Sequence, residues 1–190
     1  MKKLLILIPL LIGMNAAAQR VLIVGIDGMR ADVSEIAYTP ALDNLKAEGI
    51  YSPDALNDDI TISGPGWSAI MCGVLSPKHN VTNNNFSGNN YALYPSVFSR
   101  IEAHDANMNT VSICHWSPIN NSIVQDDADI KFNVSSDQAV VDQVTNQLQN
   151  EDPHVIFAHF DDVDHAGHAN GYSADVPEYV EAIEIVDSHV

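Results

Sequence analysis

Basic residues are scarce in this chain: 8 Lys and Arg stand against 25 Asp and Glu, a net charge of −17 with histidine neutral. A chain so negative repels polyanions, which excludes nucleic-acid polymers as partners held by a basic surface. Cysteine is scarcer still. Cys72 and Cys114 allow at most one disulfide, and spacing alone does not show that two Cβ vectors face each other. Each also suits a small buried hydrophobe, Cys72 on a predicted helix and Cys114 on a predicted strand. No internal repeat, low-complexity tract or linker interrupts the 190 residues, so one domain is expected.

Long apolar runs are absent except at the start, where Lys2-Lys3, the stretch Leu4 to Met14 and Ala16-Ala17-Ala18 follow one another. A basic start, a short apolar stretch and small residues at a cleavage point make a secretory signal peptide, residues 1–18. The stretch is too short to span a bilayer, which takes about 20 residues. No cysteine follows it to carry a lipid anchor. The expected product is an exported protein, periplasmic or secreted, without a membrane span and with Gln19 first. Loss of Lys2 and Lys3 leaves 6 basic residues against 25 acidic ones, a net charge of −19.

Residues 19–190 alternate apolar strands with amphipathic helices. Arg20 to Ile26 (RVLIVGI) is a β-branched run suited to a strand buried on both faces. Thr39-Pro40 opens a helix that Gly49 stops. Gly66 to Gly73 reads as a helix, Thr82 to Asn90 as a polar loop, Val97 to His104 as a helix, and Thr110 to Cys114 as a strand. Asp129 to Phe132 is a weaker strand. Ser135 and Gln138 form a capping box before a helix, and Asp175 and Glu178 form another. Val155 to Phe160 is a strand leading into what reads as a loop through His168. The pattern predicts an α/β domain with a mainly parallel sheet. In such sheets ligands bind beyond the carboxyl ends of the strands.

Three segments carry chemistry there. Asp27 ends the first strand between Gly25 and Gly28, and is either a helix-capping turn residue or a ligand. Ser63, in Thr61-Ile-Ser-Gly-Pro-Gly-Trp67, precedes a predicted helix. It reads locally as an N-cap, and the same place suits a nucleophile facing an anion at the helix N-terminus. Asp164-His-Ala-Gly-His168 follows an apolar strand, and its oxygen and nitrogen donors suit a borderline metal such as zinc. His159 reads as a packing residue of its strand, and His165 as a supporting or exposed one.

VLIVGIDGMR, TPALDNLKAEG, SGPGWSAIMCGVLSPKHNV and DxxGH occur here in that order. Together they resemble the alkaline phosphatase superfamily, in the type I phosphodiesterase/nucleotide pyrophosphatase branch. The resemblance implies an alkaline phosphatase-like, doubly wound α/β fold with flanking helices. It implies two zinc ions sharing a Ser or Thr nucleophile and a small phosphate-ester substrate. Position by position, Asp27 and Ser63 match ligands of one zinc, with Ser63 also the nucleophile. Asp164 and His168 match ligands of the other. Asn84 falls where the family has an asparagine donating to a phosphoryl oxygen, although locally it reads as a turn residue between Asn83 and Asn85. The implied reaction is hydrolysis of phosphodiester or pyrophosphate bonds through a phosphoseryl intermediate.

The chain departs from the family in one respect. The family's further metal segments, an Asp-His pair after another strand and a final His, are absent, and Val190 falls inside the helix predicted over 175–190. The implied form is a C-terminally truncated catalytic domain, residues 19–190, with half-built zinc sites and little activity of its own. Phosphomonoesterase chemistry on the same scaffold is the enzymatic alternative, and a non-catalytic remnant or binding module the other. Sulfatases of the superfamily use Cys/Ser-x-Pro-x-Arg, and Trp67 stands here in place of that arginine. Oligomeric state is not legible.

Overall fold

The computed structural model describes residues 20–57 and 61–190; the expected signal peptide lies outside them. Four strands form one wholly parallel sheet: β1 (Val21–Ile26), β2 (Thr110–Cys114), β3 (Ile130–Asn133) and β4 (Val155–Phe160), in the order β1-β4-β2-β3. The helices are α1 (Ala31–Ser34), α2 (Pro40–Glu48), α3 (Ser63–Cys72), α4 (Ser76–His79), α5 (Val97–His104), α6 (Asp137–Asn150), α7 (Asp162–Asn170) and α8 (Pro177–Asp187). A π-helical segment, Ile119–Val124, follows β2.

Helices cover both faces of the sheet. Side chains alternate along β4, so Phe157 packs with Trp67, Met71 and Phe98, while Ile156, Ala158 and Phe160 pack with Val140, Tyr179 and Ile183. This is the doubly wound, mainly parallel α/β architecture. β4 lies in the interior of the sheet and every one of its residues is buried, as its unbroken apolar run requires.

β1 corrects the expectation of a strand buried on both faces. It is an edge strand, with Val21 49%, Leu22 46% and Val24 38% exposed. Its apolar run fits a central strand, but only β4 pairs with it among the described residues.

The helix caps also differ from the local signals. Thr39 makes no side-chain cap; its hydroxyl reaches back to Ser34 O. The first turn of α2 is capped instead by Asp187, whose carboxylate accepts from the backbone N–H groups of Ala41 (3.0 Å) and Leu42 (2.8 Å). Ser136, not Ser135, caps α6 by accepting from Ala139 N–H. α8 begins at Pro177 without a side-chain cap, so the Asp175/Glu178 box does not form, and it ends at Asp187 instead of running on to Val190. At α2 a partner from the end of α8 takes the place of the neighbour in sequence.

Both cysteines are free and buried, in the core on the α3 side of the sheet. Burial disfavours the thiolate and pushes Cys72 up to about 11 and Cys114 up to about 12. Neither thiol should react with an alkylating reagent at pH 8 in the folded protein, and both should react at once in denaturant, as followed by mass spectrometry. Asp187→Ala should cost about 1–2 kcal/mol in a urea melt, the loss expected for a helix cap. An unchanged midpoint would remove Asp187 from that role.

Candidate functional site at the carboxyl ends of the strands

Asp27 follows β1 at the carboxyl edge of the sheet, its N–H continuing the ladder to Phe160 O at 2.9 Å. Its carboxylate is held from several sides. Oδ1 accepts from Gly28 N–H at 2.9 Å and Oδ2 from the Trp67 indole N–H at 2.8 Å. Trp67 reaches it because residue 25 is glycine; a Cβ there would collide with the indole ring. The wholly buried His159 sits with Nε2 3.7 Å from Oδ2. Its Nδ1 accepts from Trp116 N–H at 3.3 Å, which leaves the ring proton on Nε2, facing Asp27. Burial raises the Asp27 pKa, but the contacts from His159, Trp67 and Ser63 outweigh it and hold the carboxyl below its ordinary value. The neighbouring Asp161 goes the other way: burial outweighs the imidazoles of His159 and His165 and raises it.

Gly28 adopts φ +72°, in the left-handed region. A Cβ there would also lie 2.5 Å from Asp164 Cα. A glycine is therefore what lets the first strand's loop and α7 meet.

Ser63 is the first residue of α3, one turn earlier than the expected start at Gly66, and Ile62 occupies the cap position without a side-chain bond. Ser63 is thus not an N-cap, and its side chain bonds to Asp27 instead. The next residue, Gly64, donates its N–H to Asn84 Oδ1 at 2.7 Å. A Cβ at Gly64 would stand 2.8 Å from that oxygen and from Asn83 O. With its oxygen committed to Gly64, Asn84 keeps its NH2 as a donor.

The segment expected as a loop is helix α7, which changes the meaning of Asp164-x-x-Gly-His168. Asp164 and His168 are i, i+4 neighbours on one helical face, with Oδ2 and Nε2 3.3 Å apart. Aspartates in the first turn favour a helix start, and buried Asp137 of α6 caps it by accepting from the N–H groups of Asp161 (2.8 Å) and Asp162 (3.1 Å). Gly167 does not serve a tight turn; it makes room for the Tyr172 ring. The Tyr172 hydroxyl donates to Asp164 Oδ1 at 2.7 Å, leaving Oδ2 turned to His168.

All five residues singled out in the sequence (Asp27, Ser63, Asn84, Asp164 and His168) line one cleft of about 740 Å³. Arg30, Asn57, Thr61, Trp67 and Tyr172 line it as well and were not foreseen. Trp67 lay within a quoted motif, but nothing local marked its indole as a carboxylate donor. Arg30 is committed elsewhere, to Asp32 and to Tyr172 O.

The donors fit zinc in kind, carboxylate and hydroxyl oxygen with imidazole nitrogen. They fit in placement as pairs: Asp27 with Ser63, and Asp164 with His168. Among the described residues, no third His, Cys, Asp or Glu joins Asp164 and His168 in a closely spaced group, whereas Asp27, His159 and Asp161 bring ligand atoms within 4.8 Å of one another.

Comparisons with known proteins bear on the fold and on the first half of the chain. Residues 21–110 match the family model for type I phosphodiesterase/nucleotide pyrophosphatase. Murine ectonucleotide pyrophosphatase/phosphodiesterase 5, solved as an inactive threonine-to-alanine variant in complex with AMP, shares 19% identity at a TM-score of 0.72, over 90% of this chain and 50% of that one. The human protein of the same name gives 16% identity and 0.62, over 90% and 50%. Phosphonoacetate hydrolase from Sinorhizobium meliloti 1021, in complex with phosphonoacetate, gives 14% and 0.58, over 90% and 52%. The chain thus spans about half the length of these structures. No curated protein matches it significantly. Residues 21–110 are thus similar to the type I phosphodiesterase/nucleotide pyrophosphatase family, and the chain shares the fold of these structures.

Proposed function

We propose that the site is the substrate-binding half of a zinc-dependent hydrolase of phosphodiester or pyrophosphate bonds in small molecules. The observation that carries this reading is the convergence on one cleft of Asp27, Ser63, Asn84, Asp164 and His168, which come from four separate stretches of the chain. Asp27 and Ser63 would hold one ion, Asp164 and His168 the other. Such a pair, when bound, supplies positive charge at the attacking and leaving oxygens of an in-line displacement.

The chain's own residues do the rest. Ser63 Oγ attacks phosphorus, forming the bond to phosphorus as the bond to the leaving oxygen breaks; water then hydrolyses the phosphoserine. Asp27, hydrogen-bonded to Ser63, stays ionised and orients the hydroxyl, whose proton passes to solvent water as Oγ attacks. The Asn84 NH2 and the amino end of α3 face the phosphoryl oxygens and stabilise the charge that builds there. Trp67 and His159 hold the Asp27 carboxylate in one orientation. Arg30 does not supply a further phosphate contact, because its guanidinium is tied to Asp32 and Tyr172 O. One charge less to bind favours a diester over a monoester. Export to the periplasm or medium is part of the proposal; among the described residues no helix is long and apolar enough to cross a membrane.

Each ion would meet two protein ligands within this chain, against the three or four that such sites use. We therefore expect strong turnover only from a longer form that completes both sites, and little from the 190 residues alone. In the longer form, Ser63→Ala should lower hydrolysis of a nitrophenyl phosphodiester by at least about 10³-fold while bound zinc, measured by elemental analysis, stays at the wild-type level. Undiminished activity in that variant would remove Ser63 as the nucleophile. Asp164→Asn should instead lower zinc content and activity together. If it lowered activity with zinc retained, Asp164 would be a substrate contact and not a ligand.

A further inference from the structure

A second cluster of ligand-type side chains lies outside the cleft. His115, immediately after β2, meets Asp162 and His165 of the first turns of α7, and their ligand atoms all lie within 4.8 Å of one another. None of the three lines the cleft. We propose that His115, Asp162 and His165 form a separate site for one zinc-class dication, with an open fourth position.

The arrangement is held before any ion arrives. Buried Asp137 places its Oδ1 2.9 Å from His115 Nδ1, and the same carboxylate fixes the start of α7 through the N–H groups of Asp161 and Asp162. The proton on His115 is thereby drawn to Nδ1, leaving Nε2 with its electron pair. His165 is held in the reverse sense. Its Nε2 stands 3.1 Å from Asp161 Oδ2, so the other nitrogen, Nδ1, is left 3.7 Å from Asp162 Oδ1. Each imidazole is therefore backed by a carboxylate that selects its tautomer and points one nitrogen outward, the arrangement that supports histidine ligands in metal sites.

Two imidazoles and a carboxylate select a borderline ion over calcium or magnesium, which take oxygen ligands. Bond lengths of about 2.0–2.2 Å put ligands on tetrahedral zinc roughly 3.3 Å apart. Asp162 Oδ1 is already 3.7 Å from His165 Nδ1, the nitrogen that Asp161 leaves free. The Asp162 and His165 side chains are half-exposed or more, so they can close the remaining distance by rotation. Asp137 and Asp161 add negative charge beside the site, which favours a dication over a neutral ligand. The ion would clamp the end of β2 to the helix that carries Asp164 and His168.

The test uses the chain with Asp27→Asn, Asp164→Asn and His168→Gln together, which removes the cleft ligands and makes the outcome independent of the function proposed above. Titration with zinc, and with cobalt for its visible spectrum, should show one equivalent bound with tetrahedral absorption. Adding His165→Gln, an exposed position that does not threaten folding, should weaken binding about 100-fold, and Asp162→Asn should do likewise. Absence of binding to the cleft-deficient protein overturns the proposal, and so does binding unaffected by His165→Gln and Asp162→Asn.

Discussion

The parallel pairing of β1 with β4 is the constraint on which the site depends. Its register sets Val21 against Val155 and Ile26 against Phe160, and one further bond joins Asp27 N–H to Phe160 O. Asp27 and the segment from Asp161 to His168 therefore leave the sheet at the same level and on the same edge. A slip of one residue would turn every side chain of β1 to the opposite face, taking Gly25 from beneath Trp67 and Asp27 from its indole donor. Gly28 sharpens the constraint, because only a residue without Cβ allows α7 to cross this close. The arrangement at the edge is a consequence of strand register, set by apolar side chains of β1 and β4.

Helix α3 enters on the same terms. Trp67 packs edge-on against Phe157 and His159 of β4, which fixes the rotation of α3 about its axis. That rotation sets Ser63, one turn earlier, beside Asp27. The Gly64 bond to Asn84 then draws the following polar loop to the same point. One aromatic residue thus anchors the helix in the core and at the same time holds the carboxylate its first residue touches. A change at Trp67 would act on both at once, and through packing before chemistry.

The elements whose own side-chain pattern decides them were legible in the sequence. β2, β4 and α5 have the expected bounds, because their own side chains decide them. Ends decided by distant partners were not legible. Thr39 looked like a cap until Asp187, far along the chain, took the position. The stretch after β4 looked like a loop because its Gly and Asp residues suggest turns, yet Asp137 caps it as a helix and Tyr172 fills the space that Gly167 leaves. The π-helical segment Ile119–Val124 went unseen for the same reason. Its stability rests on buried Asn120, which bonds to Ser112 of β2 and to Phe132 and Asn133 of β3. At the cleft, ordered motifs pointed to the five residues, while the supporting layer of Trp67, His159 and Tyr172 has no local signature, since its meaning lies in what each ring touches.

The acidity of the chain divides along the same line. Asp137 and Asp187 are both buried, and each spends its carboxylate on two backbone N–H groups at a helix start. These two carboxylates sit at helix amino ends, whose partial positive charge offsets theirs. Asp27 and Asp164 are different: they are oriented by neutral donor side chains, the Trp67 indole and Ser63 hydroxyl on one and the Tyr172 hydroxyl on the other, and each keeps an oxygen turned towards an imidazole. A neutral donor fixes direction without cancelling charge. Carboxylates fixed in direction, gathered at one edge and, among the described residues, uncancelled by any Lys or Arg ion pair there, repel one another unless a cation intervenes. That repulsion is carried by a chain with few basic residues to offset it, and it is the physical reason to place cations at this end of the sheet.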